Sequence, residues 1–163
     1  MHSILRECMS GDYSSLDIVS KNENVSPEKL ARNILHGRCI ILKNDRRAYT
    51  PCAIGEGAGV KVNVNIGTSG ITCSPEMEIE KAKAAISNGA DAIMDLSTGG
   101  DIVSMRCEIL KLNIPVGTVP IYEAVRRAGN VVDLDADTLF NTIRDQAKEG
   151  VDLSGDKMAL QRL

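Results

Sequence analysis

The chain has 163 residues, of which 43% are apolar and 25% charged, a composition typical of one globular domain or of part of a larger protein. Its 19 basic and 22 acidic residues are well mixed, and no basic stripe accompanies the few aromatic side chains, which argues against a nucleic-acid-binding protein. No apolar run approaches the roughly 18 residues of a membrane span, and no signal-peptide core is present. We therefore expect a cytoplasmic, reduced, non-membrane protein with an aliphatic core.

The first 60 residues are predicted to form an N-terminal arm and a small α/β region. Residues 1–25 have mixed polarity without a period, which indicates an arm with at most one short helix. Ser26 is followed by a proline and a glutamate, the signature of a helix N-terminus, and we expect that helix to end at Gly37. Residues 38–42 are predicted to form a short strand.

From residue 61 the pattern becomes regular. Residues 61–66 alternate between polar and apolar and stop at a glycine-containing turn, as a strand does. Ser74, again followed by proline and glutamate, opens a helix that ends at Gly89, and residues 92–97 form a second strand. The predicted buried face of the helix consists of Ile79, Ala82, Ala85 and Ile86.

The same alternation of strand and helix continues. Asp101 caps a third helix, residues 115–121 form a third strand, and after a linker Asp137 starts a helix that ends at Gly150. The predicted inward residues are Ile102, Met105, Ile109 and Leu112 in the third helix, and Leu139, Phe140, Ile143 and Ala147 in the last.

Strands and helices that alternate at this spacing predict an α/β fold with a parallel sheet. A fourth strand is expected at Val151 but does not follow, because Leu153 is succeeded by the polar run 154–157 and a polar end. Three to four units are too few for a (β/α)8 barrel, so the chain is either an incomplete barrel or a small doubly wound sheet. We expect its open sheet edges to associate or to expose apolar surface.

Functional residues of parallel α/β folds lie where the strands end. Asn63 and Asn65 are two apart and share one face of their strand, opposite its valines and isoleucine. Their amides suit recognition of a polar heterocycle or a ribose; alternatively, they bind the backbones of neighbouring loops.

Two glycine-rich stretches are candidates for binding phosphate. Residues 97–100 precede a helix, so their amides could cradle a phosphate, although such turns also serve geometry alone. Residues 55–59 precede a strand instead, which indicates a flexible loop rather than a dinucleotide site. No nucleophile–base pair and no acid–base dyad is visible, so we assign no catalytic residue.

The sequence predicts no metal site. The two histidines are too few for a histidine-rich centre, and no two cysteines lie within metal-ligand spacing. The five cysteines are Cys8, Cys39, Cys52, Cys73 and Cys107.

Several long motifs occur together and in order. They are GEG over 55–57, KVNVNIGTS over 61–69, MDLSTGG over 94–100 and PVGTVPIY over 115–122. With flanking likeness over 25–28, 37–41 and 146–152, the chain resembles the phosphomethylpyrimidine synthase family of thiamine biosynthesis over about residues 15–152.

The resemblance implies a radical S-adenosylmethionine enzyme on a (β/α)8 barrel, which rearranges 5-aminoimidazole ribotide into hydroxymethylpyrimidine phosphate. It also implies a homodimer, a [4Fe-4S] cluster that cleaves S-adenosylmethionine, and a zinc ion held by two histidines. The family's substrate contacts carry over to Asn65, Met94 and Tyr122, all of which we expect at the carboxyl ends of strands. On this resemblance, residues 61–152 are a partial barrel, the first three to four of its units.

After Asp152 the family continues into a strand with a substrate-binding histidine, whereas this chain has Leu153 and an unrelated tail over 153–163. The ligands for the cluster and for zinc are absent from the sequence. We therefore expect a truncated or frameshifted N-terminal portion that is inactive alone. Two alternatives stay open: a fragment of the related 5-hydroxybenzimidazole synthase of anaerobic cobamide biosynthesis, and a non-catalytic ribotide-binding or split-subunit partner.

Overall fold

The structure is a computed structural model that describes residues 3–71 and 74–155. The described residues fall into two units, one within 1–43 and 49–61 and the other within 44–48 and 62–163. Cys73 and most of the predicted tail, from Asp156 onward, lie outside the described residues. None of the described helices is both long enough and apolar enough to cross a membrane.

The first unit packs three helices and a hairpin around its own apolar core. The prediction of an arm with at most one short helix is wrong, because residues 3–23 form two helices joined by a 3₁₀ turn. Each helix is short and contributes only a few buried side chains, so no period was visible. The elements are α1 Ser3–Ser10, α2 Asp17–Glu23, α3 Pro27–Leu35 and the antiparallel strands β1 Cys39–Leu42 and β2 Cys52–Gly55.

The glycine-rich stretch 55–59, predicted to be a flexible loop, is attached at both of its ends. Gly55 ends β2, and the Glu23 carboxylate binds the stretch by accepting hydrogen bonds from Gly59 N at 2.9 Å and Lys61 Nζ at 2.8 Å. The same carboxylate accepts from Ala53 N at 3.2 Å, so Glu23 joins β2 to the segment that follows it.

The second unit is built on a parallel sheet, as the sequence predicted. Its four strands lie in chain order, and the register aligns Asn65 with Met94, Met94 with Gly117, and Gly117 with Leu153. The elements are β3 Asn63–Ile66, α4 Pro75–Ser87, β4 Ala92–Asp95, α5 Ile102–Ile109, β5 Val116–Thr118, α6 Pro120–Ala128, α7 Ala136–Glu149 and β6 Leu153–Ser154.

The expectation that no fourth strand follows Val151 is wrong. Asp152 N donates to Val116 O and Gly155 N donates to Thr118 O, both at 2.9 Å, and these bonds bracket β6. A strand of two residues carries no alternation of its own; it forms because β5 offers an open edge for pairing.

The third strand is shorter than predicted, and a helix was missed. β5 ends at Thr118, and Pro120 occupies the first turn of α6, a position that suits proline because no backbone N–H is needed there. The last helix begins at Ala136, one residue before the predicted start, since the Asp135 carboxylate accepts from Thr138 N at 2.6 Å.

The core of this unit lies between the sheet and helices α4 and α5. The predicted inward faces of both helices are confirmed: Ala82, Met105 and Ile109 are buried, and Ile79, Ala85, Ile86 and Leu112 pack against them. The predicted inward face of α7 is right only in part, because Leu139 and Ile143 are half-buried but Ala147 is exposed and Phe140 is 62% exposed. The buried residues of this helix are the polar Thr142 and Gln146.

Arg47 joins the amino ends of β5 and β6 to the segment that ends α5. Its guanidinium donates to the backbone carbonyls of Leu110 at 2.8 Å and of Leu112 and Ile114 at 2.9 Å. It also forms a buried ion pair with Asp152.

The Asp152 carboxylate in turn accepts from Val116 N and from Asn44 Nδ2, each at 2.8 Å. The two charged side chains thus form hydrogen bonds with backbone carbonyls and an amide that have no partner in a helix or in the sheet. These bonds explain why residues 44–48 belong to this unit.

We predict that Arg47→Ala lowers the free energy of unfolding by about 3–5 kcal/mol, because it leaves the Asp152 carboxylate buried without its cation. Urea denaturation followed by circular dichroism measures the change. Arg46→Ala, at an exposed neighbouring position, serves as the matched control and should change stability by less than about 0.5 kcal/mol. Equal effects of the two substitutions would contradict the role assigned to Arg47.

Candidate functional site

One face of the sheet carries the candidate site. Asn63 and Asn65 share this face, as predicted, and both are exposed. Val64 and Ile66 lie on the other face, where they join the core. Asn63 Nδ2 donates to Asn65 Oδ1 at 3.2 Å, so the two amides contact each other rather than a loop backbone.

Met94 lies beside Asn65 on the neighbouring strand and extends over Gly117. A Cβ atom at Gly117 would lie 2.7 Å from Met94 Sδ and 2.7 Å from Leu153 Cδ1. The absence of a side chain at Gly117 therefore lets the thioether and the leucine meet across β5, next to the Asn65 amide. Leu153, predicted to begin a divergent tail, thus belongs to this face instead, and no local pattern in the sequence indicates it.

Tyr122 does not lie at the end of a strand. It occupies the first turn of α6, where its backbone N–H donates to Val119 O at 3.0 Å, and it is 41% exposed. The register places Asn65 and Met94 side by side, but no hydrogen bond within the described residues joins Tyr122 to either. The three predicted contacts are thus two neighbours on the sheet and one residue on the helix that follows β5.

The loops after β3 and β4 interlock. Thr68 N donates to Ser97 Oγ at 3.1 Å, and Thr68 Oγ1 donates to Gly99 O at 2.7 Å. Thr68 O accepts from Thr98 N at 2.8 Å and from Gly99 N at 3.2 Å. The Thr98 and Gly99 amides therefore already have acceptors within the two loops, and the phosphate-cradle hypothesis for residues 97–100 stays a prediction.

The close approach of the two loops explains why residue 99 is a glycine. A Cβ atom at Gly99 would overlap the backbone of Ser69 and Gly70, so only glycine lets the two loops approach so closely.

Asp95 supports the loop from the core side of the sheet. Its Oδ1 accepts from Ser97 N at 3.0 Å and from Ser97 Oγ at 2.5 Å. Burial raises the pKa of Asp95 above its ordinary value, against the lowering effects of the Ser97 hydrogen bonds and the Arg106 charge. Successive residues of a strand point to opposite faces of the sheet, so the Asp95 carboxyl lies on the helix-facing side, opposite the Met94 side chain.

A buried network of charges ties the carboxyl end of β5 to three helices. Arg106 is 1% exposed; its Nη1 donates to Glu123 Oε2 at 2.8 Å and its Nε to Glu149 Oε2 at 2.6 Å. Gln146 Nε2 donates to the same Glu123 oxygen at 2.7 Å, and Thr118 Oγ1 donates to Gln146 Oε1 at 2.6 Å. The chain of contacts therefore runs from α5 through α6 and α7 back to β5.

This network holds the turn that carries Tyr122, since Glu123 is the next residue. Burial alone would raise the pKa of Glu123, but the hydrogen bond from Gln146 and the charges of Arg106 and Arg127 outweigh burial and hold that pKa below its ordinary value. Glu123 is accordingly a buried, ionised positioning residue, one residue away from a predicted substrate contact.

Sequence reasoning missed the network, although one signal could have revealed part of it. Arg106 lies on the apolar stripe of α5, four residues after Ile102 and next to Met105, where a charge needs a buried partner. Its partners Glu123 and Glu149 are 17 and 43 residues away, and no local pattern identifies them.

The described residues do not fit a metal cluster. Within 3–71 and 74–155 no group of three or more histidine, cysteine, aspartate or glutamate side chains is arranged to hold a metal ion. Among these residues, therefore, neither the iron–sulfur cluster nor the zinc ion that the sequence resemblance implies has a ligand set.

Comparison with protein families gives one match over nearly the whole sequence. The profile of the Radical SAM ThiC family matches residues 4–160. Every sheet residue of the candidate face lies inside this range.

Curated relatives match at high identity. The phosphomethylpyrimidine synthase of Methanopyrus kandleri is 44% identical over 157 residues, which cover 92% of this chain and 37% of the relative. The synthases of Thermodesulfovibrio yellowstonii and Methanocaldococcus jannaschii are 46% and 47% identical and cover 82% and 84% of this chain, and 33% of each relative. The chain thus spans about a third of the length of the curated relatives it matches.

We predict that Glu123→Gln destabilises the protein at neutral pH by about 3 kcal/mol, because Arg106 loses a buried carboxylate partner. The pKa of Glu123 is lowered by folding, so its contribution to the free energy of unfolding is full above the ordinary glutamate value. That contribution is lost as the pH falls through the lowered pKa.

The variant should therefore show a shallower loss of stability than the wild type between about pH 5 and pH 3 in urea titrations. Glu80→Gln, at a position whose side chain is 74% exposed, is the control and should follow the wild-type profile. A Glu123→Gln profile parallel to that of the wild type would refute the assignment.

We also predict that Gly117→Ala displaces the Met94 side chain at a cost of about 1–3 kcal/mol, because the added methyl overlaps two flexible side-chain ends rather than backbone. The ¹³C-methyl resonance of Met94 should shift, whereas Gly70→Ala, where a Cβ meets nothing within 4 Å, should leave it in place. An unmoved resonance in a folded Gly117→Ala variant would show that Met94 does not lie over Gly117.

Proposed function

Because this chain belongs to the Radical SAM ThiC family, we propose that it provides the substrate-contacting first strands of a phosphomethylpyrimidine synthase. The observation that carries the proposal is the register of β3 and β4, which puts Asn65 beside Met94 on the exposed face of a parallel sheet. Both residues lie inside the segment that matches the family.

In this proposal the substrate is 5-aminoimidazole ribotide and the product is the hydroxymethylpyrimidine phosphate of thiamine. Asn65 hydrogen-bonds the imidazole or the ribose, Met94 packs against the ring, and Tyr122 donates its phenolic hydroxyl. Glu123 and Arg106 hold the first turn of α6 and so orient Tyr122. An amide beside a thioether suits a flat polar heterocycle, because one group offers hydrogen bonds and the other a polarizable apolar surface.

The strand order supports a partial (β/α)8 barrel as the scaffold. In a doubly wound sheet the order reverses at a switch point, whereas here β3, β4, β5 and β6 follow one another without reversal. Four sequential parallel strands with their functional residues at one end are what half of such a barrel provides.

The cluster, the S-adenosylmethionine and the zinc ion of this synthase, a carbon–carbon lyase, belong in the proposal to regions outside this chain. In this proposal the chain alone is inactive, because it depends on those regions for the cluster and for zinc. The complete enzyme is proposed to be a cytoplasmic homodimer.

A chimeric enzyme tests the proposal. In the Methanopyrus kandleri synthase the matched 157-residue segment is replaced by the corresponding segment of this chain. After anaerobic loading of the cluster, the chimera should convert 5-aminoimidazole ribotide to the pyrimidine phosphate, detected by mass spectrometry. A folded, cluster-loaded chimera without product would refute the proposal, and 5-hydroxybenzimidazole as the product would assign the chain to the related synthase.

Within the chimera, Asn65→Ala should lower kcat/KM by about five- to tenfold, since a lost hydrogen bond to substrate costs about 1–1.5 kcal/mol. Asn63→Ala is the matched control: it removes an amide from the same exposed face, two residues away, and should change kcat/KM by less than about threefold. Equal losses in both variants would remove Asn65 from the substrate site.

A further inference from the structure

Two side chains from other elements hold the backbone that follows β3. Gly67 N donates to Glu78 Oε2 at 2.9 Å, and Thr68 N donates to Ser97 Oγ at 3.1 Å. The bond to Ser97 joins two loops, whereas the bond to Glu78 comes from helix α4. Gly67 follows Asn65 by two residues, so Glu78 holds the backbone directly beyond the predicted substrate contact.

The N–H of Gly67 has no acceptor within the sheet. The Ile66 carbonyl of the same peptide unit accepts from Leu96 N at 2.8 Å, on the side of β4. In a trans peptide the carbonyl and the N–H point in opposite directions, so the N–H of Gly67 points away from β4. No described strand pairs with β3 on that side, and the Glu78 carboxylate supplies the acceptor instead.

Helix α4 presents Glu78 on its buried side. Glu78 lies one turn before Ala82, which is part of the core, and the residue is 6% exposed. Burial alone would raise the pKa of Glu78, but hydrogen bonds from Lys81 and from Gly67 outweigh burial and hold that pKa below its ordinary value. The bond to Gly67 is therefore a charge-assisted one, which is stronger than a bond between neutral groups.

The peptide unit between Ile66 and Gly67 is thus bound at both of its polar ends, to Leu96 on one side and to Glu78 on the other. It is also tightly packed, since a Cβ atom at Gly67 would lie 2.7 Å from Leu96 C. Because a peptide unit is a rigid plane, binding both ends holds the end of β3 against twisting relative to β4. The register that aligns Asn65 with Met94 lies immediately before this plane.

We propose that Glu78 is a positioning residue for the substrate: by binding the Gly67 amide, it fixes the Asn65 carboxamide beside Met94 in the orientation that receives the ribotide. This rests on the proposed function, in which Asn65 hydrogen-bonds the imidazole or the ribose. Glu78 acts through the backbone and does not touch the substrate, because α4 packs on the face of the sheet opposite Asn65.

Steady-state kinetics in the chimera with the rest of the Methanopyrus kandleri synthase test the proposal. Glu78→Met keeps the length of the side chain without its carboxylate, and it should lower kcat/KM for 5-aminoimidazole ribotide by about five- to tenfold, as loss of the Asn65 contact does. Glu78→Gln keeps an oxygen that accepts from Gly67 N, and it should stay within about twofold of the wild type.

Lys81→Ala is the matched control, because it removes the ion pair of Glu78 and leaves the bond to Gly67 in place. It should also stay within about twofold of the wild type, since the Lys81 side chain is 54% exposed. A loss in Glu78→Gln or in Lys81→Ala as large as that in Glu78→Met would overturn the proposal.

A double-mutant cycle separates positioning from stabilisation of the fold. If Glu78 acts through Asn65, adding Glu78→Met to Asn65→Ala should lower kcat/KM by less than about twofold further, because the contact that Glu78 positions is already gone. A residue that only stabilises the fold would give losses that multiply. Multiplying losses in the double variant would therefore overturn the proposal.

A second readout does not depend on turnover. In the ¹⁵N-labelled isolated chain, the side-chain amide resonances of Asn65 should shift in Glu78→Met and stay in place in Glu78→Gln and Lys81→Ala. An inactive chimera together with these shifts would refute the proposed function and leave Glu78 as the residue that holds Asn65. An active chimera in which Glu78→Met changes neither the Asn65 resonances nor kcat/KM would do the reverse.

Discussion

The guanidinium of Arg106 imposes the strongest constraint on the parallel-sheet unit. A cation that is 1% exposed loses its hydration, and it persists in a folded protein only where anions are held against it. Glu123 and Glu149 supply them from two different helices. Because these charges meet at hydrogen-bonding distance, they link α5, α6 and α7, and Gln146 extends the link to the end of β5 through Thr118.

The two ends of the sheet are secured by different means. At the amino ends of β5 and β6, Arg47 and Asp152 form an ion pair, and they also bind backbone groups, such as Val116 N, that have no partner in the sheet. At the carboxyl ends of β3 and β4, Thr68 and Ser97 join two loops through neutral hydrogen bonds, and Gly99 permits their close approach. On the exposed face between these ends, the Asn63 amide donates to the Asn65 amide within the same strand.

Sequence patterns anticipated those parts of the structure in which a helix or strand buries one side against its neighbours. The burial of Met105 and Ile109 on α5 was predicted correctly from their spacing. The alternation of β3 likewise predicted that Asn65 lies on the face opposite Ile66. The apolar residues of α7 were predicted to be buried, because their spacing shows that they share one side of the helix. Spacing does not show what that side of the helix packs against. Here polar contacts attach the helix, and Phe140 faces outward.

By itself, the sequence determined the α/β class, the positions of the long helices and the family, because capping residues, periodicity and extended motifs are local properties of the chain. Only the tertiary structure decided that Leu153 completes a fourth strand and that Met94 lies over Gly117. It alone also decided that Glu123 is buried beside Arg106. These features depend on groups far apart in sequence that folding brings within a few ångströms, and no local pattern encodes which distant groups will meet.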